Sequence, residues 1–323
     1  MKLPQKNIDD VIPFLQLFVD EVEDARVETL LLRKRLNIKI GVYTFIAIAP
    51  VAGLIGLPQL GLSSSVYDIC QFTVFFSFFF MTYRIGTFES IKRRLGKEYE
   101  DTFTNELYSI ITATLQPTWS YQSNFDFKIK DLVESDIFSE KVKVNFINYC
   151  LEGEFDLFPI KAYKIHARVN RDAHNFVTTN YLGIFIKINL ANTTNNRAIV
   201  APRISSQNTT SKSLHKLNLH QKGYELHNES EVTFNKYFKI YNTQNYDLPE
   251  MLTPTLQRQL GHFVLKYKKE IYLSFQKDKL YISIKTNETS VLPSLKGDVS
   301  PRFAAEHFYK ELQIILDLLK RMK

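Results

Sequence analysis

From Ile40 to Tyr83 the chain carries one formal charge, Asp68, in an otherwise nearly continuous apolar run. A helix needs roughly 20 apolar residues to cross bilayer hydrocarbon, so this run is too long for one span and sufficient for two. The stretch Leu57-Pro58-Gln59-Leu60-Gly61-Leu62-Ser63-Ser64-Ser65 breaks it with turn residues. The pattern predicts transmembrane helices over Ile40–Leu57 and about Ser64–Tyr83, closed into a hairpin. A buried hairpin of a soluble protein is the competing reading, but soluble cores rarely supply two such charge-poor stretches in succession. Phe75-Phe76-Ser77-Phe78-Phe79-Phe80-Met81 is apolar on every helical face, as lipid contact requires.

Arg33, Lys34, Arg35 and Lys39 precede the first span, and Arg84, Lys92, Arg93, Arg94 and Lys97 follow the second. The connection between the spans has neither Lys nor Arg. Flanking basic residues stay on the cytoplasmic side, so both termini are expected there. The charge is unevenly divided: residues 1–117 hold 12 basic against 13 acidic side chains, and residues 118–323 hold 29 against 21, within totals of 41 and 34. A basic domain tethered at the inner leaflet is attracted to anionic headgroups, while positives spread over a solvated surface are the plainer reading. No Lys/Arg run with interleaved aromatics suggests nucleic acid. Cys70 lies inside the second span and Cys150 in a strand-like segment, so a disulfide between them is not expected.

Before the first span, Asp9–Leu36 reads as an amphipathic helix with Val11, Leu15, Phe18, Val22, Ala25, Thr29, Leu32 and Leu36 as its seam. After the second, Phe88, Ile91, Leu95, Tyr99, Phe103, Leu107 and Ile110 mark a stalk helix ended by Pro117. A membrane hairpin brings these two helices out side by side, so their seams meet each other or the same pair in a second subunit. From Trp119 the period changes to short β-branched and aromatic segments: Val142–Tyr149, Lys161–Val169, Gly183–Leu190, Glu231–Tyr241, Ile271–Phe275 and Leu280–Lys285. Thr253-Pro254 starts a helix, and Pro301–Met322 forms a C-terminal one. Asn189 to Lys212 is rich in Asn, Thr and Ser and reads as a loop. The expected fold class is α+β: an N-terminal helix (1–39), a transmembrane hairpin (40–83), a helical stalk (84–117) and a mostly antiparallel cytosolic domain (118–323) with a C-terminal helix.

Several blocks carry a family resemblance: Tyr99, Pro117-Thr118-Trp119-Ser120-Tyr121, Ser135-Asp136-Ile137-Phe138, Glu152-Gly153-Glu154-Phe155 leading to Ala162–Ala167, and Tyr181-Leu182-Gly183-Ile184-Phe185. The most specific is Phe234-Asn235-Lys236-Tyr237-Phe238-Lys239-Ile240-Tyr241, followed by Leu252-Thr253-Pro254-Thr255-Leu256-Gln257-Arg258-Gln259-Leu260. Together they resemble the bacterial domain-of-unknown-function family numbered three-one-three-seven, over most of Arg84 to Lys285. The resemblance implies a membrane-anchored bacterial protein of the inner membrane and brings no established activity. Asp247-Leu248-Pro249-Glu250-Met251 departs from the Ala-Arg-containing run that is commoner in the family. Gly183, Phe234, Phe238, Tyr241, Leu252, Thr253 and Pro254 read as structural: core aromatics, a turn glycine and a helix cap.

Catalytic signatures do not emerge. The spacing of His215, His220 and His227 matches no metal pattern, and no phosphate-cradling glycine loop, nucleophile elbow or H-E-x-x-H occurs. No catalytic residue, metal site or cofactor is therefore expected. Glu152 and Glu154, two apart in a strand, share a face, as do His166 and Arg168, which are the candidates for holding an anion. The favoured function is a membrane-anchored, noncatalytic binding or scaffold module with the bilayer as partner. Anionic headgroups and homo-oligomers through the stalk are its further expected contacts. The alternative is a membrane-tethered enzyme of unrecognised type with a polar pocket near the Asn189–Lys212 loop.

Overall fold

The computed structural model describes residues 8–56, 64–138, 142–170, 178–190, 197–203, 219, 222–227, 232–243, 252–286 and 301–322. Two long helices lead the chain, α1 (Ile8–Gly56) and α2 (Ser64–Leu115). They run antiparallel. Phe18 near the start of α1 stacks on Phe103 near the end of α2 at 5.8 Å, while Tyr43 meets Phe88 at 5.5 Å. Between these, Arg33 Nε donates to the Lys92 carbonyl at 3.2 Å. Gly96 makes room for that guanidinium, since a Cβ there would lie 2.7 Å from Arg33 Nη2.

The α1 seam follows the expected one at Phe18, Val22, Thr29 and Leu36 and departs from it at two positions. Phe18 and Val22 are buried, but Ala25 and Leu32 are exposed, and the half-buried Arg26 and Arg33 take the inward positions. Long aliphatic stems let arginines cover apolar surface while their heads find partners. Arg26 pairs with Glu23 at 2.5 Å, and Arg33 has the Lys92 carbonyl. Among the described residues, the part of α2 beginning at Asp68 is the one helical stretch long and apolar enough to cross a membrane. The other expected span, Ile40–Leu57, ends outside the described residues.

Beyond α2, nine strands among the described residues form one sheet in the order β1-β2-β3-β4-β9-β8-β5-β7-β6. These are β1 (Ser120–Gln122), β2 (Val142–Phe155), β3 (Phe158–Asn170), β4 (Thr178–Asn189), β5 (Ala198–Pro202), β6 (Tyr224–His227), β7 (Phe238–Thr243), β8 (Ile271–Gln276) and β9 (Lys279–Lys285). Every pairing is antiparallel. β2 and β3 make a long hairpin turned at Asp156 and Leu157, both at positive φ (47° and 72°). The segment expected as a strand from Glu231 divides in two: α4 (Val232–Tyr237) precedes β7. Stacking of Phe234 on Phe238 at 4.8 Å bridges the helix-to-strand change, so aromatic content misreports the first half.

The remaining helices are α3 (Ile129–Glu134), α5 (Pro254–Tyr267) and α6 (Pro301–Arg321). The α+β architecture with a large antiparallel sheet and a C-terminal helix follows. Strand alternation sends Tyr163, Ile165, Ala167, Phe185 and Tyr281 to one face, where they form a core with Leu132, Ile137 and Phe138 from α3 and its exit. On the other face α6 brings Phe308 against Tyr149 of β2 and Tyr108 of α2, the last pair stacked at 3.9 Å. The chain divides into two compact units. One holds the sheet, α2 from Tyr108 and α6 from Ala305; the other holds Ile12–Leu107.

Candidate functional site

The sheet unit buries two polar clusters, one on each face. On the α6 face, Lys164 of β3 is fully buried. Its ammonium donates to a Glu311 carboxylate oxygen and to Thr286 Oγ1 at 3.1 Å. The second Glu311 oxygen accepts from Tyr149 Oη at 2.8 Å. Burial, then the charge of Glu311, pushes the Tyr149 phenol well above its ordinary range. Helix α6 has a long apolar face, and Glu311 is the one carboxylate within it that is buried. Sequence reading missed this pair, because a lysine in β3 and a glutamate in α6 are separated by 147 residues. The available signal was Lys164 standing between Ala162 and the half-buried His166 on one side of an apolar strand.

On the opposite face, α3 and its exit place three carboxylates over the sheet. Asp131 accepts from Lys187 of β4 at 2.8 Å, and Glu134 pairs with Lys279 of β9 at 3.3 Å. Asp136 accepts from Tyr224 Oη at 2.9 Å, Gln276 Nε2 at 3.2 Å and Lys222 Nζ at 2.5 Å. Burial raises the Glu134 carboxyl, but hydrogen bonds from Lys130 and Lys279 outweigh it and hold the group below its ordinary value. Asp136 sits at φ 54°, a left-handed conformation that Asp tolerates better than most residues. Ser135 supports the turn, donating to the Leu132 carbonyl at 2.6 Å and accepting from the Ile137 amide at 3.2 Å. One short segment thereby ties β4, β9, β8 and β6 together. The Ser135-Asp136-Ile137-Phe138 block has a physical role in every residue.

The other sequence blocks fall into place as contacts. Trp119 Nε1 donates to the Glu154 carbonyl at 3.0 Å, and its ring occupies the space where a Gly153 Cβ would be. Gly183 lies inside β4, where a Cβ would overlap Tyr181 Oη and the Ile284 carbonyl. It is a close-approach glycine within a strand, so the expected turn does not occur there. Tyr181 uses that space to bond Ser283 Oγ at 2.6 Å. Thr253 caps α5 by accepting from the Leu256 amide at 3.2 Å, Pro254 opens the first turn, and Leu252 is buried. Tyr241 packs half-buried beside Ile199 and Tyr224.

His166 and Arg168 share a side of β3 but not an environment. The His166 ring meets Phe146 edge-on at 4.7 Å, and its buried Nδ1 has no hydrogen-bond partner among the described residues. Arg168 is exposed. Glu152 is matched with Lys161 at 2.8 Å and accepts from Gln122 at 2.9 Å. The stretch expected as one loop from Asn189 to Lys212 contains β5, while its residues 191–196 and 204–212, and with them the expected pocket, lie outside the described residues, as do His215 and His220. Among the described residues no group of three His, Cys, Asp or Glu side chains is placed to hold a metal. Both cysteines are free.

With the β4 glycine, the stacked Phe234 and Phe238 and the Thr253 cap located, the family comparison has a structural meaning. Residues 179–323 match the model of the family described as protein of unknown function (DUF3137). The family match begins in β4 and runs through α6, so it includes Gly183, the Phe234–Tyr241 block, the α5 cap and Glu311. The blocks from Tyr99 to Ala167 precede it. Among solved structures, the crystal structure of the mycobacterial trehalose monomycolate transport factor A, TtfA, is similar at a TM-score of 0.33 and 8% identity. That likeness covers 65% of this chain and 94% of the other, and is too distant to bear on fold or function. No curated protein matches the chain.

Proposed function

We propose that the chain is a membrane-anchored, noncatalytic module, held by the α1–α2 hairpin as two spans with both termini cytoplasmic. The observation that carries this is the surface of α2. Phe72, Phe75, Phe76 and Phe79 are 65%, 58%, 59% and 57% exposed, and Phe78 and Phe80 are open as well. Phenylalanines around a whole helix are costly in water and favourable in lipid. The polar groups inside the sheet unit support the noncatalytic half of the reading. Glu311 and Asp136 each have their acceptor oxygens engaged by Lys or Tyr donors, as a structural network requires. The excess of basic residues in 118–323 favours contact with anionic headgroups at the inner leaflet.

Fractionation tests the anchor. The full-length chain should pellet with membranes after high-speed centrifugation and stay there through alkaline carbonate. Protease added to right-side-out vesicles should leave both ends intact. Recovery in the supernatant without detergent would overturn the reading.

A further inference from the structure

A groove of about 740 Å³ runs along the apolar part of the helical hairpin, between Val51 of α1 and the Asp68, Gln71, Phe72, Phe75 and Phe79 side of α2. Asp68, Phe72, Phe75 and Phe79 recur at spacings of four, three and four, which places them on one helix face. Phe75 and Phe79 lie with ring centroids 4.5 Å apart and make an aromatic floor. Asp68 and Gln71 stand at the end nearest the α1–α2 connection. Both are exposed, and neither has a hydrogen-bond or ion-pair partner among the described residues. A carboxylate at the edge of an apolar helix is expensive unless something pairs with it.

The dimensions fit one leaflet. Eleven residues separate Asp68 from Phe79, a rise of about 16 Å, and half the hydrocarbon of a bilayer is about 15 Å. Polar groups therefore sit at headgroup depth when the aromatic floor spans the acyl region. We propose that this groove holds one lipid of the leaflet facing the α1–α2 connection, with an ammonium-bearing headgroup against Asp68 and an acyl chain along Phe72, Phe75 and Phe79. A second copy of the chain is a poorer occupant. Held in the same bilayer in the same orientation, it would bring its own Asp68 to the same depth, where the two like charges repel. An anionic headgroup meets the same objection. The inference rests on the anchor proposed above.

The test uses full-length protein in nanodiscs of equal parts phosphatidylethanolamine and phosphatidylglycerol, released into mild detergent and weighed by native mass spectrometry. One lipid should stay bound, with ethanolamine favoured over glycerol by about fivefold, the preference that one screened charge contact gives. Asp68→Asn should retain a lipid and bring that ratio to about one, the loss of a single charge contact. Val51→Trp, which fills the groove, should release the lipid. Retention unchanged in Val51→Trp, or no headgroup preference in the unaltered chain, overturns the proposal and leaves the anchor standing. So does disulfide cross-linking between copies through Val51→Cys in a Cys70→Ser background, since a second chain would then cover the groove. If the chain never enters the membrane fraction, the anchor itself has failed.

Discussion

Lys164 and Glu311 concentrate what single residues do in this protein. With 0% and 8% side-chain exposure, each charge depends on the other. Removing one partner of a buried pair leaves the second uncompensated, a loss of about 3–5 kcal/mol. Glu311→Ala should therefore lower the unfolding midpoint of the detergent-solubilised chain steeply, and Lys164→Met with Glu311→Leu should recover most of the loss, because apolar packing replaces a buried pair at little cost. Equal damage from the single and double substitutions would show that the pair itself matters little. Cys150 offers a second residue-scale check. It is 1% exposed, and burial pushes its thiol up to about 12. At neutral pH it should resist alkylation until denaturant opens the sheet, whereas a thiol labelled at the native rate of a free cysteine would contradict its place in the core.

At the scale of elements, the β2–β3 turn and the α5–α6 contact carry expectations of opposite sign. Leu157 is 90% exposed and held at φ 72°, a conformation that costs an ordinary side chain roughly 1–2 kcal/mol. Leu157→Gly removes that strain without exposing any core, so it should raise the thermal midpoint, read by circular dichroism. Helices α5 and α6 meet through Asp317, which accepts from Lys266 at 3.2 Å and Arg321 at 3.3 Å. Burial alone would raise this carboxyl, but the hydrogen bonds from Lys266 and Tyr267 and the charge of Arg321 win, leaving it below its ordinary 3.8. A depressed carboxylate stabilises fully above its unfolded value, and the contribution is lost as pH falls through the lower folded value. The acid limb of a stability–pH profile should be shallower in Asp317→Asn, with little difference in its slope near neutrality. A change confined to the alkaline limb would refute the assignment.

For the whole molecule, the informative boundary lies inside α2. Tyr108 stacks on Phe308, touches Tyr149 and belongs to the sheet unit, so the last turns of a helix that begins in the apolar hairpin complete the core of the sheet. A fragment starting at Asn105 should fold cooperatively, and one starting at Gln116 should lose the Tyr108–Phe308 stack and melt lower. Identical melting of the two would place the boundary at the helix end. The contrast explains what was legible beforehand. Periodicity and capping signals gave the two long helices, the Thr253 start and the segments Ile271–Phe275 and Leu280–Lys285, because each depends on neighbours within a few turns of chain. α3, the α4 turn and β6 escaped notice, being too short to show a period. The α1 seam departs from the apolar pattern at Ala25 and Leu32 because the stems of Arg26 and Arg33 take positions that binary patterning reserves for apolar side chains.

Local pattern and composition alone carry where apolar surface accumulates, the antiparallel α+β class and the family likeness matched over residues 179–323. Only the tertiary structure decided the nine-strand order, the Lys164–Glu311 pair and the three α3 carboxylates over four strands. Each of those joins residues far apart in the chain, and what selects them is the cost of leaving a buried charge or a sheet face without its partner.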